Sequence, residues 1–301
     1  MSSSDRGCGV LFHPTAFPGT PCSGTFGAFA RSWIDLLGLE GVGVWQILPL
    51  APTDGTGSPY SSPSGSALNP WLIDADDLLA AGLICSSDHA QLPSGSAERL
   101  DPAQATARSE AIAAALARYW PSQGAGRQQA FRRWRRQQRS WLDDHGLFMV
   151  IRRQQQGRPW WEWPAPLARR NRRALVEQMR DRAQELLAEA LLQWQLQEQW
   201  QALRQRARQA GVRLLGDLPF YVAHDSADVW RRPGLFTVGP DGLLVSQSGV
   251  PPDYFSATGQ LWGTPVYRWW RHRLGGFRWW LERLDRQLDL FDLLRLDHFR
   301  A

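Results

Sequence analysis

The run Leu294-Arg295-Leu296-Asp297-His298-Phe299-Arg300 sets a guanidinium, a carboxylate, an imidazole and a second guanidinium directly behind an apolar stretch. Leu290, Phe291, Leu293, Leu294 and Leu296 give that stretch the length of a strand. Arg295 and Asp297 are two apart, and side chains two apart along a strand point to one face. There the guanidinium can hold the carboxylate ionised, as a carboxylate nucleophile requires. Parallel α/β barrels present catalytic groups in this way, at the C-terminal ends of apolar strands. A solvent-facing Arg–Asp pair fits the same spacing, and spacing alone does not separate the two. Asp217 is a second carboxylate in an apolar context, at the exit of the run 212–222. A carboxylate there can equally cap nearby backbone N–H groups.

Elements that would position these groups follow from periodicity. Strand-like runs stand at 9–12, 42–50, 212–222 and 290–299. Between the first two, Phe29, Trp33, Leu36 and Leu37 recur at helical spacing over 26–39. The second and third strands are separated by a long insertion. It reads as turn-rich over 51–69, then helical over 103–120 and 127–155. The segment Gly157-Arg158-Pro159-Trp160-Trp161-Glu162-Trp163-Pro164 carries two prolines and is expected to break the helices and expose its aromatics. A helix over 175–209 ends at Gly211, and the third strand follows at once, in the rhythm of a (β/α) barrel. Residues 225–269 read as a long loop of the kind that serves as a lid. Within it Asp225 and Asp228 look like a helix cap and first-turn acid ahead of Val229-Trp230. Helical residues over 266–284 lead to the last strand.

The expected fold class is therefore α/β, a TIM (β/α)8 barrel with helical insertions, represented by about its first half. Strands 1 and 2 fall in 1–50, the helical insertion in 51–211, and strands 3 and 4 in 212–301, with a substrate loop at 249–263. The remaining strands have no counterpart in the sequence, so an open, poorly protected barrel interior is expected.

Composition narrows the function. Three cysteines (Cys8, Cys22, Cys85) without pairing or metal-ligand spacing suit a reducing compartment, and the first residues carry no secretory pattern. No run of about eighteen apolar residues appears. A cytoplasmic, non-membrane protein is expected. The net charge of +5 comes from arginine alone, with no lysine. Its densest run, Arg132-Arg133-Trp134-Arg135-Arg136-Gln137-Gln138-Arg139, interleaves aromatic and guanidinium as a nucleic-acid binder does. At helical spacing, however, Phe131, Trp134, Gln138, Trp141 and Leu142 share a stripe, which describes an amphipathic helix with a solvated face. Nucleic acid is not an expected partner. The 17 tryptophans offer flat apolar faces with one donor each, which suit the C–H faces of sugars as well as a core.

Five ordered segments carry a resemblance to a known family. They are Gly9-Val10-Leu11-Phe12-His13-Pro14-Thr15; Trp45-Gln46-Ile47-Leu48-Pro49-Leu50 with Ser58-Pro59-Tyr60-Ser61-Ser62 and Asn69-Pro70; Gly216-Asp217-Leu218-Pro219-Phe220-Tyr221-Val222-Ala223 running on to Trp230; Gly249-Val250-Pro251-Pro252-Asp253-Tyr254-Phe255-Ser256 through Trp262-Gly263; and Arg295-x-Asp297-His298-Phe299-Arg300. Together they resemble the 4-α-glucanotransferases (amylomaltases or disproportionating enzymes, glycoside hydrolase family 77), over essentially the whole sequence and thinning between 84 and 139.

The resemblance implies a barrel of the α-amylase clan that transfers α-1,4-glucan segments between malto-oligosaccharides with retention of configuration. It implies no cofactor and no metal. Asp297 would be the nucleophile and Arg295 its partner. Ser58, Tyr60, Asp217, Tyr254, Phe255, Trp262 and His298 would bind substrate, with Trp262 an acceptor-side platform. The family's acid/base glutamate has no counterpart in these residues. A non-catalytic glucan-binding fragment, and less so an α-glucan hydrolase, are the competing expectations. Glucan length, cyclic products and oligomeric state are not legible.

Overall fold

Four parallel strands form the central sheet: β1 (Gly9–Leu11), β2 (Val44–Ile47), β3 (Arg213–Leu218) and, after the hairpin strands β4 (Gln247–Val250) and β5 (Gln260–Pro265), β6 (Leu293–Leu296). The computed structural model describes residues 7–18, 22–96, 98–252, 254 and 256–298. Sheet order is β1-β2-β3-β6, every pair parallel, with Gly9 opposite Val44, Val44 opposite Arg213, and Asp217 opposite Arg295. Sequential parallel strands need a crossover between each pair. Helix Ala28–Leu39 supplies the first, Ala183–Gln209 closes the second, and Arg278–Leu290 closes the third. No helix of the described residues is long and apolar enough to cross a membrane.

The strands are shorter than their apolar runs. Leu290 ends a helix, and Phe291 leaves it to pack in the core, so the last strand starts at Leu293. The expected helix over 127–155 is two helices, Ala125–Gln137 and Arg139–Gln154, and that over 175–209 is Arg172–Asp181 and Ala183–Gln209. The final helical stretch is likewise divided, into Trp269–Leu274 and Arg278–Leu290. The stretch 225–269 is not a plain loop, because it holds the antiparallel β4–β5 pair and a short helix, Ala227–Arg231. Ser226, rather than Asp225, caps that helix with its Oγ accepting from Val229 N; Asp225 instead accepts from Arg152 Nε and from Trp160 N.

The expected exposure of the Trp160–Trp163 aromatics is also overturned. Trp160 and Trp163 are buried, and their indole N–H groups donate to the carbonyls of His224 and Arg158. An indole whose polar edge is satisfied loses nothing by burial.

The sheet's outer core is led by Trp45 and Trp200, both fully buried. Trp45 Nε1 donates to Phe12 O at 2.8 Å, and Trp200 Nε1 to Leu290 O at 2.9 Å, so each indole ties its helix or strand to the next element. Two glutamines on helix Ala183–Gln209 behave as pieces of backbone. Gln193 pairs reciprocally with the N–H and C=O of Leu68, and Gln199 with those of Asp74. These pairs fasten the far end of the β2–helix connection, whose near part carries Tyr60.

A second core of aromatics (Phe220, Trp230, Phe236, Tyr267, Trp279, Trp280) lies beneath the hairpin. Buried Arg283 donates to the carbonyls of Pro219 and Phe220, and Tyr267 donates to Phe220 O, so the turn after β3 is held from below. Helix Ala125–Gln137 buries Phe131 with Trp134 stacked on it, and Arg135 and Arg139 both reach Asp143 at 3.5 Å. The expected stripe is thus shared between two helices, since Trp141 and Leu142 lie on Arg139–Gln154, while the arginines of Ala125–Gln137 keep a solvated face.

Gly216 fixes how closely β3 and its cover approach. A Cβ there would lie 2.3 Å from the ring of buried Phe291. Gly216→Ala is expected to destabilise the fold by about 1–3 kcal/mol, the usual cost of overpacking. An unchanged urea midpoint would mean that the Phe291 ring can swing aside.

Candidate active site

Asp217 occupies β3 opposite Arg295 on β6, and the parallel register makes their pairing unavoidable. Arg295 Nη1 meets Asp217 Oδ2 at 2.8 Å, and Nη2 meets Asp297 Oδ2 at 2.9 Å. One guanidinium thus bridges two carboxylates, across the sheet and along its own strand end. Asp297 stands one residue past β6 and also accepts the His298 N–H at 2.9 Å on Oδ1. Burial pulls its carboxyl upward. The His298 N–H, the His298 ring and Arg295 together outweigh that pull and hold it below the ordinary carboxylate range. His298 itself adopts a left-handed backbone (φ 52°), a conformation non-glycine residues take up sparingly.

Asp217 is only 1% exposed. Its Oδ2 also accepts from Tyr60 Oη at 2.9 Å, so the Tyr60 turn of the β2 connection is joined to the sheet through Asp217. Burial first, then the bond to Asp217 and that residue's negative charge, push the Tyr60 phenol up to about 12. Tyr60 is a neutral donor at physiological pH.

These groups adjoin a cleft of about 450 Å³ lined by Tyr60, Tyr221, Gln260, Trp262, Asp297 and His298, among others. Gln260, Trp262 and Thr264 all face it, the alternation a strand imposes on β5. Trp262 Nε1 donates to Gln260 Oε1 at 3.1 Å, and its ring meets the His298 ring edge-on at 4.7 Å. Tyr221 stands 6.2 Å from Trp262 and stacks on Tyr267 at 5.8 Å. The cleft therefore has one ionised carboxylate set among aromatic faces, the lining a sugar ring needs. Among the described residues that line it, Asp297 is the one carboxylate.

Of the residues singled out in the sequence, Ser58, Tyr60, Trp262, Asp297 and His298 line this cleft. Arg295 and Asp217 stand behind it through the contacts just given. Tyr254 is 98% exposed and is not part of that lining. Phe255 lies outside the described residues. Sequence reasoning assigned no role to Tyr221, Gln260 or Thr264. For Tyr221 the signal was present, an aromatic four residues after Asp217 in an apolar turn; for the other two it was strand alternation, hidden because the segment reads as a loop.

An α/β sheet that delivers a paired carboxylate from a strand end into an aromatic cleft is how a parallel α/β barrel presents its chemistry. The 4-alpha-glucanotransferase family model matches residues 12–301, and the chain belongs to that family. The 4-alpha-glucanotransferase of Thermus thermophilus is 40% identical over 297 residues, 98% of this chain and 59% of the relative. That of Synechocystis is 41% identical over 300 residues, 99% of this chain and 59% of the relative. The structure of an amylomaltase from Streptococcus agalactiae in complex with acarbose superposes with a TM-score of 0.92 at 32% identity, over 98% of this chain and 60% of that one. The chain thus spans about 59% of the length of these curated relatives.

Proposed function

We propose that this chain carries the nucleophile half of a 4-α-glucanotransferase site acting on α-1,4-glucans and malto-oligosaccharides. The observation that supports this reading best is the Asp297 carboxylate, held ionised by Arg295 and the His298 N–H at the wall of an aromatic cleft. In the first half-reaction Asp297 attacks the anomeric carbon of a bound glucan. A C–O ester bond forms as the glycosidic C–O bond breaks, and the departing oxygen takes a proton. In the second, an acceptor hydroxyl attacks the same carbon, gives up its proton and frees the carboxylate, with retention overall.

Asp297 cannot serve as both nucleophile and proton donor, so we assign the proton transfers to a group outside these residues. Asp217 acts through its partners, fixing Arg295 and Tyr60. Trp262 offers the acceptor a flat apolar face beside the ester. The proposed setting is cytoplasmic, which the three free thiols support.

In a full-length version, matched in length to the relatives, incubation with a slow fluorinated glucosyl donor should add a glycosyl mass to the peptide bearing Asp297. A label on another carboxylate would reassign the nucleophile. Trp262→Ala should depress transfer more than hydrolysis, because the acceptor loses its platform while water still enters. An unchanged ratio of transfer to hydrolysis would remove Trp262 from that role.

A further inference from the structure

Tyr60 reaches the cleft on a turn with no helix or strand of its own, and what fixes that turn is a carboxylate that is not part of the cleft lining. Asp54 closes the turn at its base. Its N–H donates to Ser61 O at 2.9 Å, while its Oδ2 accepts from Ser61 Oγ at 2.6 Å, so the two residues are clamped by backbone and side chain together. Its Oδ1 accepts from Thr56 N at 2.8 Å and from Thr56 Oγ1 at 2.5 Å. Gly57 N donates back to Asp54 O at 3.1 Å, with Gly57 in the left-handed conformation the tight turn requires. Ser61 N donates to Ser58 O, and Tyr60 N to Ser58 Oγ, so the 58–61 turn is folded against this base. Tyr60 sits one residue before the clamp and is 43% exposed. Among the described residues, its side chain donates one hydrogen bond, to Asp217.

We propose that Asp54 is a positioning residue for glucan binding: by clamping the 54–61 turn it holds the Tyr60 hydroxyl on Asp217 and so sets the wall of the cleft. This rests on the functional reading above for the nature of the ligand. It does not rest on it for the structural role of Asp54. Ionised, Asp54 accepts three hydrogen bonds from Ser61 and Thr56, and charge-assisted acceptance is stronger than neutral pairing. An asparagine can still accept from Thr56 on its amide oxygen and donate to the Ser61 hydroxyl, so Asp54→Asn should keep the clamp. Asp54→Ala removes it and frees the turn to sample conformations in which Tyr60 leaves Asp217.

The test compares Asp54→Ala, Asp54→Asn, Tyr60→Phe and the Asp54→Ala/Tyr60→Phe double variant in the protein, with maltoheptaose as the probe. Asp54→Ala should weaken maltoheptaose binding about tenfold, a factor worth about 1.4 kcal/mol. Asp54→Asn should stay within about threefold of the parent, since it keeps the Thr56 and Ser61 bonds. In the double variant the Asp54 effect should largely vanish, since residues acting through one contact are not additive. Losses that multiply would mean Asp54 acts independently of Tyr60 and would overturn the proposal.

A second readout needs no glucan. The side-chain NMR signal of tyrosine labelled at Cζ, assigned to Tyr60 by its loss in Tyr60→Phe, should shift in Asp54→Ala and return in Asp54→Asn. A Tyr60 signal unmoved by Asp54→Ala overturns the role of Asp54 whatever the ligand is. A shifted signal in a protein that does not bind maltoheptaose would leave the clamp standing and sink the functional reading instead.

Discussion

In a version matched in length to the relatives, Asp297→Asn is expected to lower glucan transfer by at least about a thousandfold, the scale on which loss of an essential nucleophile is felt. The amide is nearly isosteric but cannot form the ester. Binding should survive, because the aromatic lining of the cleft is untouched. The variant therefore separates the two halves of the reading. Disproportionation of maltotriose followed by glucose release measures the chemistry, and calorimetry with maltoheptaose measures the cleft. Near-normal turnover by Asp297→Asn would remove it as nucleophile, and Asp217 would then be the next carboxylate to test.

The pH profile gives the same conclusion an independent check. The Asp297 carboxyl lies below the ordinary carboxylate range because its hydrogen bond from His298 N and its charged neighbours outweigh burial. The acidic limb of kcat/KM in the parent protein should accordingly fall below that range, since the nucleophile stays ionised until then.

The four strands and the cluster at the last of them were legible because both signals are local. Apolar runs of strand length mark all four, although β1 and β6, at the edges of the sheet, bury none of their strand residues. The two-residue spacing of Arg295 and Asp297 sufficed to bring them onto one guanidinium–carboxylate contact. What lay beyond reach was long-range. Arg295 meets Asp217 across 78 residues, and Tyr60 meets it across 157, so no spacing rule pairs them. The register of β3 against β6 brings Arg295 to Asp217, and the fold of the 54–61 turn brings Tyr60 there.

Other departures share that cause. Neither Gln138 nor Arg182 carries a helix-breaking signature, yet helices end at both, because the chain must turn to lay Arg139–Gln154 against Ala183–Gln209. The β4–β5 hairpin hid within glycine-, proline- and serine-rich sequence that reads as loop, although its alternation at Gln260, Trp262 and Thr264 was there to find. The buried Trp160 and Trp163 defeat a composition argument because their partners are backbone carbonyls. Backbone acceptors leave no trace in side-chain identity.

Arg295→Met should damage stability as well as activity, and the two losses have different origins. Without the guanidinium, Asp217 keeps Tyr60 but loses the cation that compensates its burial. Breaking a fully buried ion pair costs about 3–5 kcal/mol. Arg295 is 42% exposed, so solvent screening reduces this to about 1–3 kcal/mol. Neutralising the orphaned partner should recover much of that loss. Arg295→Met/Asp217→Asn is therefore expected to be more stable than Arg295→Met alone, with a coupling visible in urea midpoints. Additive losses would show that the pair contributes nothing as a pair.

Activity should not recover in the double variant, because Asp297 has lost Arg295 in either background. Its carboxyl then moves up towards the ordinary range. A carboxyl lowered in the folded state contributes stability that is present above its unfolded value and lost as pH falls through the folded one. Raising the folded value in Arg295→Met narrows that window and moves the acidic limb of the rate profile to higher pH. An acidic limb unmoved by Arg295→Met would mean that the His298 N–H and ring alone hold Asp297 ionised.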